Sequence, residues 1–150
     1  MADFFYGVRF SSDKERSVSI DVEGKRYKLR SVYCDYVFLY VNCWVGQGQL
    51  SPLHEWMVDQ VIDFLPPLVP FIRYSRSDNI AVPDLLCGNI SYEIETGFKH
   101  EIDPLIRRVA SAPGFVYVVV PNIEVKKKYV KLLYQFHGRI FTLRNLSRSI

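Results

Sequence analysis

Ile80-Ala-Val-Pro-Asp-Leu-Leu-Cys-Gly-Asn-Ile-Ser-Tyr-Glu-Ile-Glu-Thr-Gly97 sets two apolar stretches on either side of Gly88-Asn89, the residue pair of a tight β-hairpin turn. Counting outward from a two-residue turn, Cys87 faces Ile90, Leu85 faces Tyr92, and Asp84 falls opposite Glu93. Glu95 lies two residues beyond Glu93, and strand side chains alternate, so these two point the same way. Three carboxylates are therefore expected on one side of the ribbon. The other side, Leu85, Cys87, Ile90, Tyr92 and Ile94, is apolar and suited to burial. Clustered acids repel one another, and a fold that gathers them offers a place for a cation.

Upstream, Ser51 followed by Pro52 starts a helix: Ser51 caps it and proline suits the first turn. Leu53, Met57, Val61, Phe64 and Leu65 fall on one stripe, and Pro66-Pro67 stops the helix. Leu68 to Tyr74 reads as a strand and Ser75 to Asn79 as a polar loop. Downstream, Asp103-Pro104 opens a helix with Leu105, Ile106 and Val109 inward, ended by Ala112-Pro-Gly114. Phe115 to Val120 is an unbroken apolar run with the length and β-branching of a strand buried on both faces. Asn122 caps a further helix whose Val125, Tyr129, Leu132, Leu133 and Phe136 share a face, and Gly138 ends it. Arg139 to Leu143 is expected as a last strand. The order from residue 51 is helix, three strands, helix, strand, helix, strand. That implies an α/β (α+β) fold, a mixed central β-sheet flanked by helices.

The first fifty residues read as a β-rich N-terminal extension. Ser17–Val22 and Lys25–Arg30 flank Glu23-Gly24, a second hairpin signal. Val32 to Val45 reads as one long strand or two with a break, and the Gly46-Gln-Gly-Gln segment as a joint. A chain of 150 residues fits one domain, with the core at 51–143. Hydrophobic content of 49% against 23% charged indicates an ordered globular protein. The 15% aromatic content suits strands, and base-stacking platforms are the sharper alternative. A net charge of +3 permits nucleic-acid binding without arguing strongly for it. Three cysteines without CxxC spacing (Cys34, Cys43, Cys87) are expected as buried reduced thiols, not a zinc site or disulfide framework. The N-terminus lacks a basic signal-peptide region, and the apolar run Tyr36 to Val45 is half a membrane span. The expectation is a soluble, cytoplasmic protein with no membrane partner.

Pro83-Asp84 in the second core strand and Glu93-Ile94-Glu95 in the third, within this element order, resemble the PD-(D/E)xK nuclease superfamily. The run Tyr-Glu-Ile-Glu-Thr-Gly followed by a helix and Val-Val-Val-Pro-Asn is similar to nuclease-like domains of archaeal and archaeal-virus members with an ExE third motif. The likeness covers residues 51 to about 143. It implies a restriction-endonuclease-like core and a divalent-metal-dependent DNA nuclease, an endonuclease, hydrolysing phosphodiester bonds with Mg²⁺ (Mn²⁺ as the other ion). In the chemistry it implies, Asp84 and Glu93 bridge an ion with help from the Ile94 carbonyl. Glu95 holds a second ion or acts as general base. The family's third-motif lysine is replaced here by Glu95, so Lys99 would supply a displaced amine. Glu55, on the first helix, would complete the outer shell.

Each assignment has a structural counterpart. Asp84 after proline also caps turns, and Glu93 and Glu95 also suit the solvated face of an edge hairpin. Glu55 also suits an exposed helix face, and His54, His100 and His137 show no ligand spacing, with exposure expected for His54 and a pairwise role beside Glu55 as the alternative. Lys126, Lys127, Lys128 and Lys131, with Arg139, Arg144 and Arg148, form either a DNA-phosphate surface or an ordinary solvated face, and Arg107 and Arg108 share that ambiguity. Two other functions stay open. One is a catalytically inactive module on the same fold that binds nucleic acid or protein. The other is a viral or plasmid assembly protein whose Val32–Val45 edge is covered by a partner. A homodimer is compatible with all of these.

Overall fold

Positive φ at Glu23 (51°) and Gly24 (79°) makes the first hairpin turn, the left-handed pair that a two-residue I′ turn requires. The computed structural model describes residues 7–16, 18–46, 51–74, 82–97, 102–133 and 138–149. In chain order these form β1 (Val8–Ser11), β2 (Ser19–Val22), β3 (Lys25–Cys34), β4 (Leu39–Gly46), α1 (Pro52–Phe64), β5 (Phe71–Arg73), β6 (Leu85–Cys87), β7 (Ile90–Ile94), α2 (Ile102–Ser111), β8 (Phe115–Val120), α3 (Ile123–Leu133), β9 (Gly138–Thr142) and α4 (Leu143–Ser149). The expected Gln47–Gln49 part of the joint, the Ser75–Asn79 loop, Lys99, His100 and His137 lie outside the described residues.

The fold is mixed α/β with two sheets. The first is antiparallel in the order β1-β4-β3-β2, and the second runs β5-β6-β7-β8-β9. In the second sheet β5, β6 and β7 pair antiparallel, whereas β7, β8 and β9 pair parallel. A parallel connection needs a crossover, and α2 and α3 supply one each. The hairpin register is the one counted from the sequence: Cys87 opposite Ile90 and Leu85 opposite Tyr92, with Gly88 at φ 62° in the turn. Residues 32–45 are two strands with a break at 35–38, and both are interior to the first sheet. Within this segment β1 pairs with Tyr40–Cys43 of β4, whereas β2 pairs with Lys25–Lys28 of β3 and does not reach Val32–Cys34. The strand expected over 68–74 shrinks to Phe71–Arg73. The last strand stops at Thr142, where α4 begins instead of the expected strand residue Leu143.

The alternation along β8 explains the layering. Val116, Val118 and Val120 pack with Leu105, Val109, Tyr129 and Leu133 of α2 and α3. Val119 faces the other way, into a cluster with Ile94 and Tyr92, Leu53, Met57 and Val61 of α1, and Leu143 and Leu146 of α4. Cys34, Val41 and Cys43 of the first sheet join this second cluster, so α1 lies between the two sheets. Full burial of each such aliphatic side chain contributes about 1.5–3 kcal/mol. All three cysteines are buried free thiols, and burial pushes the Cys34 thiol up to about 11.

Two caps act as the sequence indicates. Ser51 Oγ accepts from the Leu53 N–H at 3.2 Å, and Asn122 Oδ1 accepts from the Val125 N–H at 2.9 Å. The Asn122 amide also donates to the Tyr33 carbonyl at 2.8 Å, tying β3 to α3. Asn122→Ala removes both and is expected to lower stability by about 1–2 kcal/mol. Urea unfolding measures this, and a loss below ~0.5 kcal/mol would show that neither contact matters in solution.

Candidate functional site

Asp84 sits where β6 begins, beside the C-terminal end of β7. Its main chain is held on both sides: its N–H donates to the Tyr92 carbonyl (3.2 Å) and its carbonyl accepts from the Tyr74 N–H (3.1 Å). The residue is 2% exposed, and Oδ2 accepts from the Ile94 N–H at 2.8 Å. Ile94 is the residue between Glu93 and Glu95, so this bond stitches the Pro-Asp motif to the Glu-x-Glu motif. A buried carboxylate needs such compensation, since desolvation costs several kcal/mol per ion. Further compensation comes from α1: His54 Nε2 lies 3.2 Å from Asp84 Oδ1. This is a close polar contact outside the geometry of an aligned hydrogen bond.

Glu93 is also 2% exposed, and its Oε1 accepts from Arg108 Nε at 3.1 Å. Arg108 is on α2, in the layer opposite α1, so Asp84 and Glu93 receive their cations from different sides of the sheet. Glu95 is half-buried. Its N–H donates to the Val119 carbonyl at 2.9 Å, which prolongs the β7–β8 pairing, and its Oε1 accepts from the Tyr129 hydroxyl at 3.4 Å. Burial foremost, and then the Glu95 charge, hold the Tyr129 hydroxyl well above its ordinary range, so it stays a donor. Glu55 reaches this end through His54: Nδ1 to Oε1 is 3.2 Å. Its other oxygen accepts from Arg73 Nη2 at 2.7 Å, and Arg73 Nη1 also holds Asp59 at 2.6 Å. The His54 hydrogen bond first, and then the charges of His54 and Arg73, hold the Glu55 carboxyl below the usual range against the opposing effect of burial.

Asp84, Glu93, Ile94 and Glu95 lie near one end of the second sheet and Glu55 contacts His54, but the expected gathering of three carboxylates on one face is corrected: Asp84 turns to α1 and Glu93 to α2, because each buried acid takes its cation from a different layer. Lys127, Lys128 and Lys131 are exposed on α3, Lys126 is half-buried there, and Arg139 is exposed on β9. Lys128 Nζ lies 3.5 Å from the Gly97 carbonyl and 5.9 Å from the Tyr129 ring centre, so the lysine run adjoins the end of the Glu95 strand. Two further expectations are corrected. Arg108 is buried against Glu93 and does not belong to a phosphate surface, and His54 is 8% exposed instead of solvated. Arg144 stacks 4.6 Å from the Phe38 ring centre, which spends part of its surface on packing.

A signal for both corrected residues was present in the chain. His54, Met57, Val58 and Val61 form an i, i+3, i+4, i+7 stripe, as do Leu105, Arg108, Val109 and Ala112. A polar side chain on a buried stripe must meet a partner.

Among the described residues no three His, Cys, Asp or Glu side chains form a ready-made metal cage. Mg²⁺ prefers hard oxygen donors, takes one or two carboxylates and keeps several waters. The carboxylates of Asp84, Glu93 and Glu95 and the Ile94 carbonyl match that donor chemistry. Among the described residues no helix is long and apolar enough to cross a membrane. Comparison with models of protein families, with curated proteins and with solved structures finds no match for this chain.

Proposed function

We propose that this protein is a divalent-metal-dependent DNA nuclease, an endonuclease, whose site lies at the joined ends of β6 and β7. The observation that carries the reading is the 2.8 Å bond from the Ile94 N–H to Asp84 Oδ2. It draws a buried aspartate against the Glu93–Ile94 peptide, and burying that carboxylate costs desolvation which the bond only offsets. Asp84, Glu93 and the Ile94 carbonyl would hold the ion. When bound, Mg²⁺ or Mn²⁺ supplies an attacking water of lowered pKa and positive charge opposite the developing negative charge on phosphorus. Glu95, half-buried and steadied by Tyr129, accepts the proton of the attacking water. Lys128 and its neighbours on α3, with Arg139, contact phosphates flanking the scissile one.

One observation favours a second reading. Glu93 faces a fully buried guanidinium, so its charge is already balanced. That suits a domain of the same scaffold that binds nucleic acid or protein without cutting. The test is incubation of the purified protein with supercoiled, single-stranded and branched DNA, with Mg²⁺, Mn²⁺ or EDTA. Metal-dependent cleavage is expected, with a loss of about 100-fold or more in Asp84→Asn and in Glu95→Gln. Cleavage that survives both substitutions would remove the assignment. DNA binding without cleavage in either metal would install the second reading.

A further inference from the structure

His54 is a buried histidine with a carboxylate at each ring nitrogen: Glu55 Oε1 at 3.2 Å from Nδ1, and Asp84 Oδ1 at 3.2 Å from Nε2. The ring is in turn the inner member of a continuous run of contacts, Asp59–Arg73–Glu55–His54–Asp84, which leads from the surface of α1 and β5 to the buried aspartate. Asp84 itself is thus contacted from two independent elements. The β7 main chain hydrogen-bonds Oδ2, and α1 brings His54 Nε2 to 3.2 Å from Oδ1. A carboxylate offers about four acceptor positions, and these two contacts orient it without exhausting it.

We infer that His54 is a positioning residue: it sets the orientation in which Asp84 presents its carboxylate to a divalent cation. The inference rests on the metal-site reading above. It requires the Nε2 contact to Asp84, and not merely a polar group at position 54, to govern affinity for the ion. Outer-shell partners of metal ligands are worth about 10–100-fold in affinity.

Two isosteres separate the contacts. In His54→Gln the amide nitrogen falls near the place of Nε2 and keeps a donor toward Asp84. In His54→Asn it falls near Nδ1 and keeps only the donor toward Glu55. Mn²⁺ dissociation constants come from calorimetry on each purified protein, with melting temperatures measured alongside. His54→Asn is expected to weaken Mn²⁺ binding by about 10-fold or more, and His54→Gln by less than about threefold. Equal affinities in the two variants, whether both kept or both lost, would overturn the inference, because a purely structural role does not distinguish Nδ1 from Nε2. Should either variant fail to fold, the unmutated protein decides. The ¹⁵N resonances of the His54 ring are expected to move on Mg²⁺ addition and to saturate with the calorimetric constant, and ring resonances indifferent to Mg²⁺ would defeat the inference. If the unmutated protein binds neither ion at millimolar concentration, the metal-site reading itself falls. Binding to the unmutated protein with no Asn/Gln difference removes the role of His54 alone.

Discussion

Glu93→Ala is expected to destabilise the protein by about 3–5 kcal/mol, independently of any loss of activity, because the Arg108 guanidinium then stays buried without this carboxylate. Both side chains are nearly sealed from water, 2% exposed for Glu93 and 3% for Arg108, so solvent cannot replace the lost partner. For a chain of 150 residues this corresponds to a fall in Tm of roughly 6–20 °C. Urea unfolding of the single and double variants measures it. Glu93→Leu with Arg108→Met removes both charges and should recover most of the loss, since apolar replacement of a buried pair is often neutral or stabilising. A single-variant loss under about 1 kcal/mol would mean that the pair is solvated or that Arg108 finds another anion. One consequence bears on any test of catalysis. Lost cleavage in Glu93→Ala reports unfolding as readily as chemistry, whereas Asp84→Asn and Glu95→Gln keep the size of the side chain and one acceptor oxygen.

Gly114→Ala should be nearly as damaging, about 3 kcal/mol, by sterics alone. A Cβ at position 114 would lie 2.1 Å from the Asn89 carbonyl oxygen and 3.1 Å from its carbon. Both are backbone atoms in the hairpin turn and cannot rotate aside. The Phe115 N–H donates to that same oxygen at 3.0 Å, and Ile90 opposite Phe115 opens the β7–β8 register. A methyl group there must break this bond or push the α2–β8 connection off the hairpin that carries Glu93 and Glu95. Thermal unfolding checks it, and an alanine variant as stable as the unmutated protein would show that the turn and the start of β8 do not approach as described.

The elements read from the chain are those with local causes. The hairpin at Gly88-Asn89 and the turn at Glu23-Gly24 follow from residues that tolerate their backbone angles. The helix at 52–64 follows from Ser51, Pro52 and an apolar stripe, and the interior strand 115–120 from an unbroken β-branched run. Elements without a local cause were missed. Helix α4 is only seven residues long, and besides Thr142 Oγ1 it is capped by Asp35, whose Oδ1 accepts from the Arg144 N–H across 109 residues of chain. Strand β1 has four residues, and its register depends on partners in β4 that are 29 to 35 residues away.

The candidate site divides in the same way. The register that places Asp84, Glu93 and Glu95 near one end of a ribbon was legible, because a two-residue turn allows one pairing; the gathering of all three carboxylates on one face was not met, since Asp84 turns to His54 of α1 and Glu93 to Arg108 of α2. Which cation would stand beside each acid was not legible. His54 and Arg108 are brought in by helices from opposite sides of the sheet, and a helix's place is set by which apolar stripe it buries against which face. Periodicity and turn chemistry are properties of neighbouring residues and survive in the bare chain. The pairing of a buried charge depends on the packing of distant layers, and comes into being only when those layers close and exclude water.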